Sequence, residues 1–517
     1  MKMRSKKCIR ICWLCLCFIM LPLLAAAADC SEAPSFFNDR TADITGRTLF
    51  SHLDMSLSGR GQIIGLADSG LDKGSISNIH PDLQGSDSDL PRILLLRSYA
   101  GRELADDPDG HGTHMAGIIV GSGQESQGQY RGVAPGASLY FQALLNQQGI
   151  LTLPSTITAL FVPAYEAGVR VHVDGWGVEN NAYSDRARDI DDFTWRHNDF
   201  LPIFSAGNRG PHAGTLSQEA NSKNALVVGA SQSVRPGWSS ESAESAKPMP
   251  ASSSGPTADG RIKPDLSAPG SALLSTCSSL VDSNYPENSA YTYLGGSSMA
   301  AAVVGGNVAL LRQYLAEVCG QHNPSAALLK ALLINGSRLS AADQRAQLGW
   351  GILDTAGTLL PMRENLFQWK EDWLSAEGNR LFREYRFNVT DASYDLPVRV
   401  TLVWNDPASM NTEAVQELIN DLDLVVVDPQ GRHYSGNNFL SSTEEQADHV
   451  NNVEIVHIPH PNAGTYTIRV QADSLHAAYQ QQPFAVVYGQ NVIPAVIVGR
   501  EGQQIRLSDG QTICLSR

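Results

Sequence analysis

Three short segments carry side chains that together could open an acyl bond. Leu66-Ala67-Asp68-Ser69-Gly70 ends an apolar run on an aspartate. Asp109-Gly110-His111-Gly112-Thr113-His114 leads a histidine out of a glycine-bearing turn. Gly295-Gly296-Ser297-Ser298-Met299-Ala300 opens a long Ala-rich stretch on a serine. A serine hydroxyl is a weak nucleophile at its free pKa. A histidine titrating near ~6.5 can take its proton and later hand it to a leaving group. A buried carboxylate fixes the histidine tautomer and steadies the imidazolium. A fourth segment, Ser205-Ala206-Gly207-Asn208, offers a side-chain amide that could donate to a developing oxyanion. The backbone N–H of Ser298 would be the second donor.

Two competing chemistries fit less well. His111 and His114 stand three residues apart, a spacing that also suits a metal. No glutamate follows the first of them as in H-E-x-x-H, so His114 reads as a packed helix residue. An esterase of the α/β-hydrolase kind needs G-x-S-x-G and the order serine, acid, histidine. Here Met299-Ala300 follows the serine, and the aspartate comes first.

The elements that must position these residues follow from pattern. Residues 61–67, 137–141, 169–173, 202–206 and 225–229 are short apolar runs and read as buried strands. Helical patterns at 112–121 and 151–167 alternate with them. That alternation predicts an α/β fold, a parallel sheet with helices on both faces. Residues 298–317 read as a buried helix, and 324–335 as another capped by Asn323. Strand ends and helix starts share one edge of such a sheet, where ligands bind. The four segments could therefore meet. From Pro361 to about 490 the texture changes to alternating strands at 398–404, 422–427, 453–458, 465–470 and 484–488, with turns at 428–431 and 461–464. This predicts a smaller all-β sandwich. The Ser-rich stretch 239–255 reads as an exposed loop.

Composition sets the outer limits. With 517 residues, 18% charged and 42% hydrophobic, the chain is globular, with room for two or three domains. A net charge of −15 argues against nucleic acid as a partner. Lys2, Arg4, Lys6, Lys7 and Arg10, an apolar run over 11–24 and Ala26-Ala27-Ala28 read as a secretory signal peptide over residues 1–28. That predicts a secreted or periplasmic protein with no membrane attachment after cleavage. Four of the eight cysteines fall in the signal. Cys30, Cys277, Cys319 and Cys514 remain, as free thiols or in any of three pairings.

The blocks Asp68-Ser69-Gly70, His111-Gly112-Thr113-His114-Met115-Ala116-Gly117, Ala206-Gly207-Asn208, Lys263-Pro264-Asp265-Leu266-Ser267-Ala268-Pro269-Gly270 and Gly296-Ser297-Ser298-Met299-Ala300 resemble those of subtilisin-like serine proteases. The resemblance implies a triad of Asp68, His111 and Ser298, with Asn208 in the oxyanion hole. It implies peptide or protein substrates lying against Gly175, Trp176, Gly177, Ala206 and Gly207, no cofactor for catalysis, and a monomer. Thr401-Leu402-Val403-Trp404-Asn405-Asp406, Ile419-Asn420-Asp421-Leu422-Asp423-Leu424, Asn451-Asn452-Val453-Glu454 and Ala463-Gly464-Thr465-Tyr466 resemble the C-terminal jelly-roll domain of the oxidatively stable alkaline subtilases. That second resemblance implies structural calcium. Asp406, Asp421 and Asp423 are its expected ligands, since hard oxygen donors suit the ion.

The expected plan is a signal peptide (1–28), an N-terminal segment (29–60), a catalytic domain (61–360), a β-sandwich (361–490) and an extension (491–517). Three positions depart from the family pattern: Gly175 for a serine, Ser297 for a threonine and Ala302 for a proline. About 30 residues separate the expected cleavage site from the first strand. The family's propeptide is longer. A catalytically silent surface protein on the same fold is the alternative reading. It calls for a missing triad member, and none is missing.

Overall fold

The computed structural model describes residues 56–85, 90–233, 247–390, 396–410, 416–438 and 447–491, with the backbone of 504–506 and 512–514. The expected signal peptide, Cys30 and the Cys514 side chain lie outside the described residues. Cys277 (buried) and Cys319 (exposed) are free thiols.

The apolar runs form strands because each is short, bounded by turn residues and covered on both faces. β1 (Ile63–Asp68), β2 (Ile93–Ser98), β3 (Ser138–Ala143), β4 (Val171–Asp174), β5 (Leu201–Ser205), β6 (Leu226–Ser231) and β7 (Leu266–Pro269) run parallel. β8 (Leu273–Thr276) and β9 (Tyr291–Leu294) pair apart as a hairpin. β10 (Arg338–Leu339) and β11 (Gly351–Ile352) extend the main sheet, giving the order β10-β11-β7-β6-β5-β4-β1-β3-β2. β1 lies between β3 and β4, so the chain builds outward from it first one way and then the other. Ligands collect at the strand ends beside such a switch point, and Asp68 is the last residue of β1.

Helices cover both faces. α1 (His111–Val120), α4 (Ser297–Glu317), α5 (Ala326–Gly336) and α6 (Thr355–Arg363) contribute to one apolar cluster with the sheet. α2 (Thr158–Glu166) and α3 (Asp185–Arg196) pack on the other face through Leu160, Phe161, Ile190 and Phe193. Residues 297–315 of α4 are all buried, as expected of a helix apolar around its whole circumference. α5 is capped by Ser325, whose hydroxyl accepts from the Leu328 N–H at 3.0 Å, and not by the expected Asn323. The 239–255 expectation also needs correcting. Residues 247–255 are described, and Ser252, Ser253 and Ser254 are buried at 3% exposure or less.

Beyond α6, which runs through Pro361, eight strands among the described residues 367–490 form two antiparallel sheets. They are β12 (Phe367–Ser375), β13 (Phe382–Val389), β14 (Val398–Val403), β15 (Asp421–Val427), β16 (His433–Ser435), β17 (Val453–Ile458), β18 (Gly464–Ser474) and β19 (Gln481–Gln490). The sheet orders are β12-β19-β14-β17 and β13-β18-β15-β16. Leu402, Trp404, Leu424, Ile468 and Val486 fill the space between them. The first sheet's other face, through Val403, Val453, Ile455 and Val487, joins the apolar cluster of α5 and α6. Arg399 of β14 is buried and donates to the carbonyls of Asn335 (2.6 Å) and Ser337 (2.7 Å). A cation thus satisfies the open C-terminal end of α5.

Candidate active site

The sheet edge brings the three predicted side chains into line. Asp68 is 2% exposed at the end of β1. Its Oδ1 accepts from the Ser69 N–H at 2.7 Å and lies 2.7 Å from His111 Nδ1. His111 Nε2 lies 2.9 Å from Ser298 Oγ. With Nδ1–H donated to the carboxylate, Nε2 carries a lone pair that can accept the serine proton. His111 begins α1 and Ser298 is the second residue of α4. The serine's N–H therefore lies in the first helical turn, where backbone donors have no intrahelical partner.

Asn208 is anchored through its side-chain oxygen. Its Oδ1 accepts from the Ser297 N–H at 2.9 Å. That leaves Nδ2 as the outward donor. A Cβ built on Gly296 would lie 3.1 Å from Asn208 Nδ2 and 3.3 Å from Ser298 Oγ. Glycine at 296 therefore keeps the space between the donor and the nucleophile clear. Ser297 does more than replace threonine. Its hydroxyl donates to the Gly207 carbonyl (2.9 Å) and accepts from the Gly207 N–H (3.1 Å). Gly207 sits at φ +109°, where a side chain would be strained.

The other expected substrate-side residues lie on the same edge. Trp176 is fixed by its indole N–H, which donates to the Ala67 carbonyl at 3.0 Å. A Cβ on Gly177 would come within 2.6 Å of Ser217. Ala206 is buried and its carbonyl accepts from the Ser217 N–H at 3.1 Å. Gly175 is explained by packing. A Cβ there would stand 2.3 Å from Met115 Sδ and 3.0 Å from Asp68 Oδ2. Asp68 Oδ2 is buried with no hydrogen-bond partner, on the side where a serine hydroxyl would have reached it.

Sequence reasoning missed the group that holds the site together. Asp107 is wholly buried. Its Oδ1 accepts from Ser69 Oγ (2.7 Å) and the Gly110 N–H (2.9 Å), and its Oδ2 from the Thr113 N–H (2.8 Å) and Oγ1 (2.5 Å). Ser69 Oγ in turn accepts from the Gly112 N–H at 2.8 Å. One carboxylate thus ties the Asp68 strand end to the His111 helix start. Burial raises its pKa to about 6 against those four donors. The signal was present in the sequence as Asp106-Asp107-Pro108-Asp109, but three acids in one loop do not say which turns inward.

The field around His111 is strongly negative. Burial works against its charged form, but Asp68, by charge and hydrogen bond, outweighs that, helped by Asp109 and Asp107. The pKa rises from 6.5 to about 9. His114 is the opposite case. It is buried, and its Nε2–H donates to the carbonyls of Leu273 (3.0 Å) and Thr292 (3.1 Å). Burial pushes its pKa down to about 3, and it pins α1 to β8 and β9.

The expected grouping of Asp406 with Asp421 and Asp423 is corrected. Asp406 is fully buried and pairs with Lys223 Nζ at 2.7 Å. Its oxygens also accept from the N–H groups of Ile419 and Asn420, each at 2.8 Å. A calcium ion there would have to displace an ammonium. Asp421 and Asp423 instead gather with His449, their ligand atoms all within 4.8 Å. Asp421 Oδ2 lies 2.6 Å from His449 Nδ1. Asp421 Oδ1, Asp423 Oδ1 and Glu454 Oε1 are buried without a partner. Burial raises the Asp421 pKa to about 6 against His449, with Asp423 and Asp473 adding to the rise.

A parallel sheet with this switch point, and an Asp, a His and a Ser converging from it in that chain order, define the subtilisin-like class of serine protease. The chain belongs to the Subtilase family, whose model matches residues 59–351. It is similar to a Dictyostelium discoideum protein named serine protease/ABC transporter B family protein tagA, at 28% identity over 80% of this chain and 30% of that one. It is similar to the serine protease AprX of Bacillus subtilis (strain 168), at 29% identity over 50% of this chain and 58% of that one. The chain thus spans less than two thirds of either relative. Fervidolysin from Fervidobacterium pennivorans, a keratinolytic enzyme related to subtilisin, superposes with a TM-score of 0.46 at 20% identity, over 85% of this chain and 59% of that one.

Proposed function

We propose that this chain is a secreted serine endopeptidase that cleaves peptide bonds through an acyl-enzyme. The carrying observation is the continuous relay from Asp68 through His111 to Ser298 Oγ, at 2.7 and 2.9 Å, beside the outward amide of Asn208. Ser298 Oγ attacks the scissile carbonyl carbon as His111 Nε2 takes its proton. The oxyanion is held by Asn208 Nδ2 and the Ser298 N–H. His111 then protonates the leaving amine, the C–N bond breaks, and the acyl group stays on Ser298. Water attacks the ester with His111 again as base, which frees the acid and restores the hydroxyl. Gly175, Trp176 and Gly177, with Ala206 and Gly207, form the wall for the substrate strand. Among the described residues no helix is long and apolar enough to cross a membrane.

A fluorophosphonate probe tests this reading. The intact chain should take up one label, recovered on the peptide that contains Ser298, and Ser298→Ala should take up none. A folded chain that stays unlabelled would sink it.

The charge around His111 gives a pH prediction. Only neutral imidazole accepts the serine proton, and its pKa is raised toward about 9. kcat/KM should therefore climb with pH on a limb centred well above the ordinary histidine value. A profile on a peptide nitroanilide from about pH 5 to about 11 reads it, and a limb centred below 6.5 contradicts it.

Calcium at Asp421 and Asp423 is part of the same proposal. Buried carboxylate oxygens without donors are the groups a hard cation satisfies, and its role there would be to hold β15 in place. A chelator should lower the Tm and added calcium should restore it, with Asp423→Asn insensitive to both. A Tm indifferent to chelation removes calcium from the proposal.

A further inference from the structure

The seam where α3 and α5 face β12 and β19 holds an open cleft of about 500 Å³. That is within the ~300–1,000 Å³ of small-molecule sites. Two indoles line it, Trp195 from α3 and Trp373 from β12, and both are half-buried. Trp195 is braced edge-on by Tyr479, with ring centroids 5.7 Å apart. Trp373 carries the Arg380 guanidinium over its ring at 4.0 Å. The rings are thus fixed by neighbours rather than packed into a core.

The polar lining is mostly neutral. Asn198, Asn405 and Gln481 contribute side-chain amides. Asn405 is 7% exposed, and its backbone carbonyl accepts from Gln482 Nε2 at 2.8 Å. Glu371 supplies a carboxylate, already oriented by the Ser325 N–H at 2.9 Å and by Gln321 Nε2.

These groups select among ligand classes. Fixed aromatic faces take flat apolar surface. Amides both donate and accept, and a carboxylate only accepts. A sugar ring presents an apolar C–H face and hydroxyls that each donate and accept, so it answers every one of them. A proline-rich peptide, the usual guest of aromatic grooves, offers chiefly carbonyl acceptors and no hydroxyl donors for the side-chain carbonyls of Asn198, Asn405 and Gln481. A cationic ligand is disfavoured because Asp372 is already paired with Arg383 at 3.1 Å and Arg380 at 3.5 Å. We propose that this cleft binds a neutral oligosaccharide, at a site that shares no residue with the peptide-cleaving edge.

The test uses the full chain carrying Ser298→Ala, which removes self-digestion. Cellohexaose and hexa-N-acetylchitohexaose are titrated while indole fluorescence and heat are followed. At least one should bind saturably, and Trp195→Ala and Trp373→Ala should each weaken it by roughly tenfold. If either variant melts early, Gln481→Ala on the rim is read instead and should weaken binding several-fold. No saturation by either sugar up to about 10 mM overturns the proposal. So does binding that all the variants leave unchanged, or saturation by a proline-rich decapeptide in place of the sugars.

Discussion

Ser298→Ala should lower kcat/KM on a peptide substrate by about 10⁶-fold, a size taken from subtilisin as a member of the same family and not from these distances. The geometry explains why the loss is so large. Ser298 Oγ is the only atom of its side chain that reaches His111 Nε2, at 2.9 Å. Removing it strands the base without a proton to take. The fold should not change. Ser298 is 3% exposed, and its hydroxyl makes no contact that holds an element in place, its other neighbour being Met299 Sδ at 3.5 Å. The Tm should therefore stay within a degree or two, roughly the effect of a small side-chain change without a cavity. Substrate should still bind, because the wall at Gly175, Trp176 and Gly177 is untouched. A residual rate of about 10³–10⁴ over water should survive, supplied by Asn208 and the backbone donor. A variant that keeps more than about 1% of the activity would mean that another group is the nucleophile.

The convergence of Asp68, His111 and Ser298 was legible because each stands in a short motif whose order is itself informative. The parallel sheet was legible because its strands are buried on both faces and read as unbroken apolar runs. What stayed hidden depends on direction and not on type. Asp107 and Asp109 are two residues apart, yet one is wholly buried beneath the site while the other faces outward. Asp406 looked like a partner of Asp421 and Asp423, but Lys223, nearly two hundred residues earlier, claims it. β12 was missed because Lys370, Glu371 and Asp372 interrupt its alternation. The strand is nonetheless held by Phe367 and Trp369 on the α/β cluster and by Leu374 in the sandwich. α3 was missed because its exposed face is almost entirely charged, and only Ala187, Ile190, Asp191, Phe193 and Thr194 are buried.

Asp68→Asn should reduce kcat/KM by about 10²–10³-fold, about one order for each unit by which the His111 pKa falls, with a cause that its pH profile can separate. In the chymotrypsin-type example the loss comes from a wrong tautomer, because the new amide group faces the imidazole. Here the Ser69 N–H donates to Oδ1 at 2.7 Å, on the same oxygen that meets His111. A backbone donor cannot turn into an acceptor, so the oxygen of the asparagine should stay at that position. The amide then occupies the place of Oδ2, buried and without a partner. His111 keeps its Nδ1–H and its orientation, and loses the charge that stabilised its protonated form. Burial, which opposes that form, is then resisted only by Asp109 and Asp107. The pKa should fall from about 9 toward or below the ordinary 6.5. Each unit of that fall is about 1.4 kcal/mol less support for the imidazolium that forms in the transition state. The acidic limb of kcat/KM should therefore move down by more than one unit while its plateau drops. The deficit against the parent should shrink at low pH, where the parent is itself protonated. If the plateau falls and the limb stays near 9, Asp109 and Asp107 set the histidine's pKa and Asp68 acts by orientation alone.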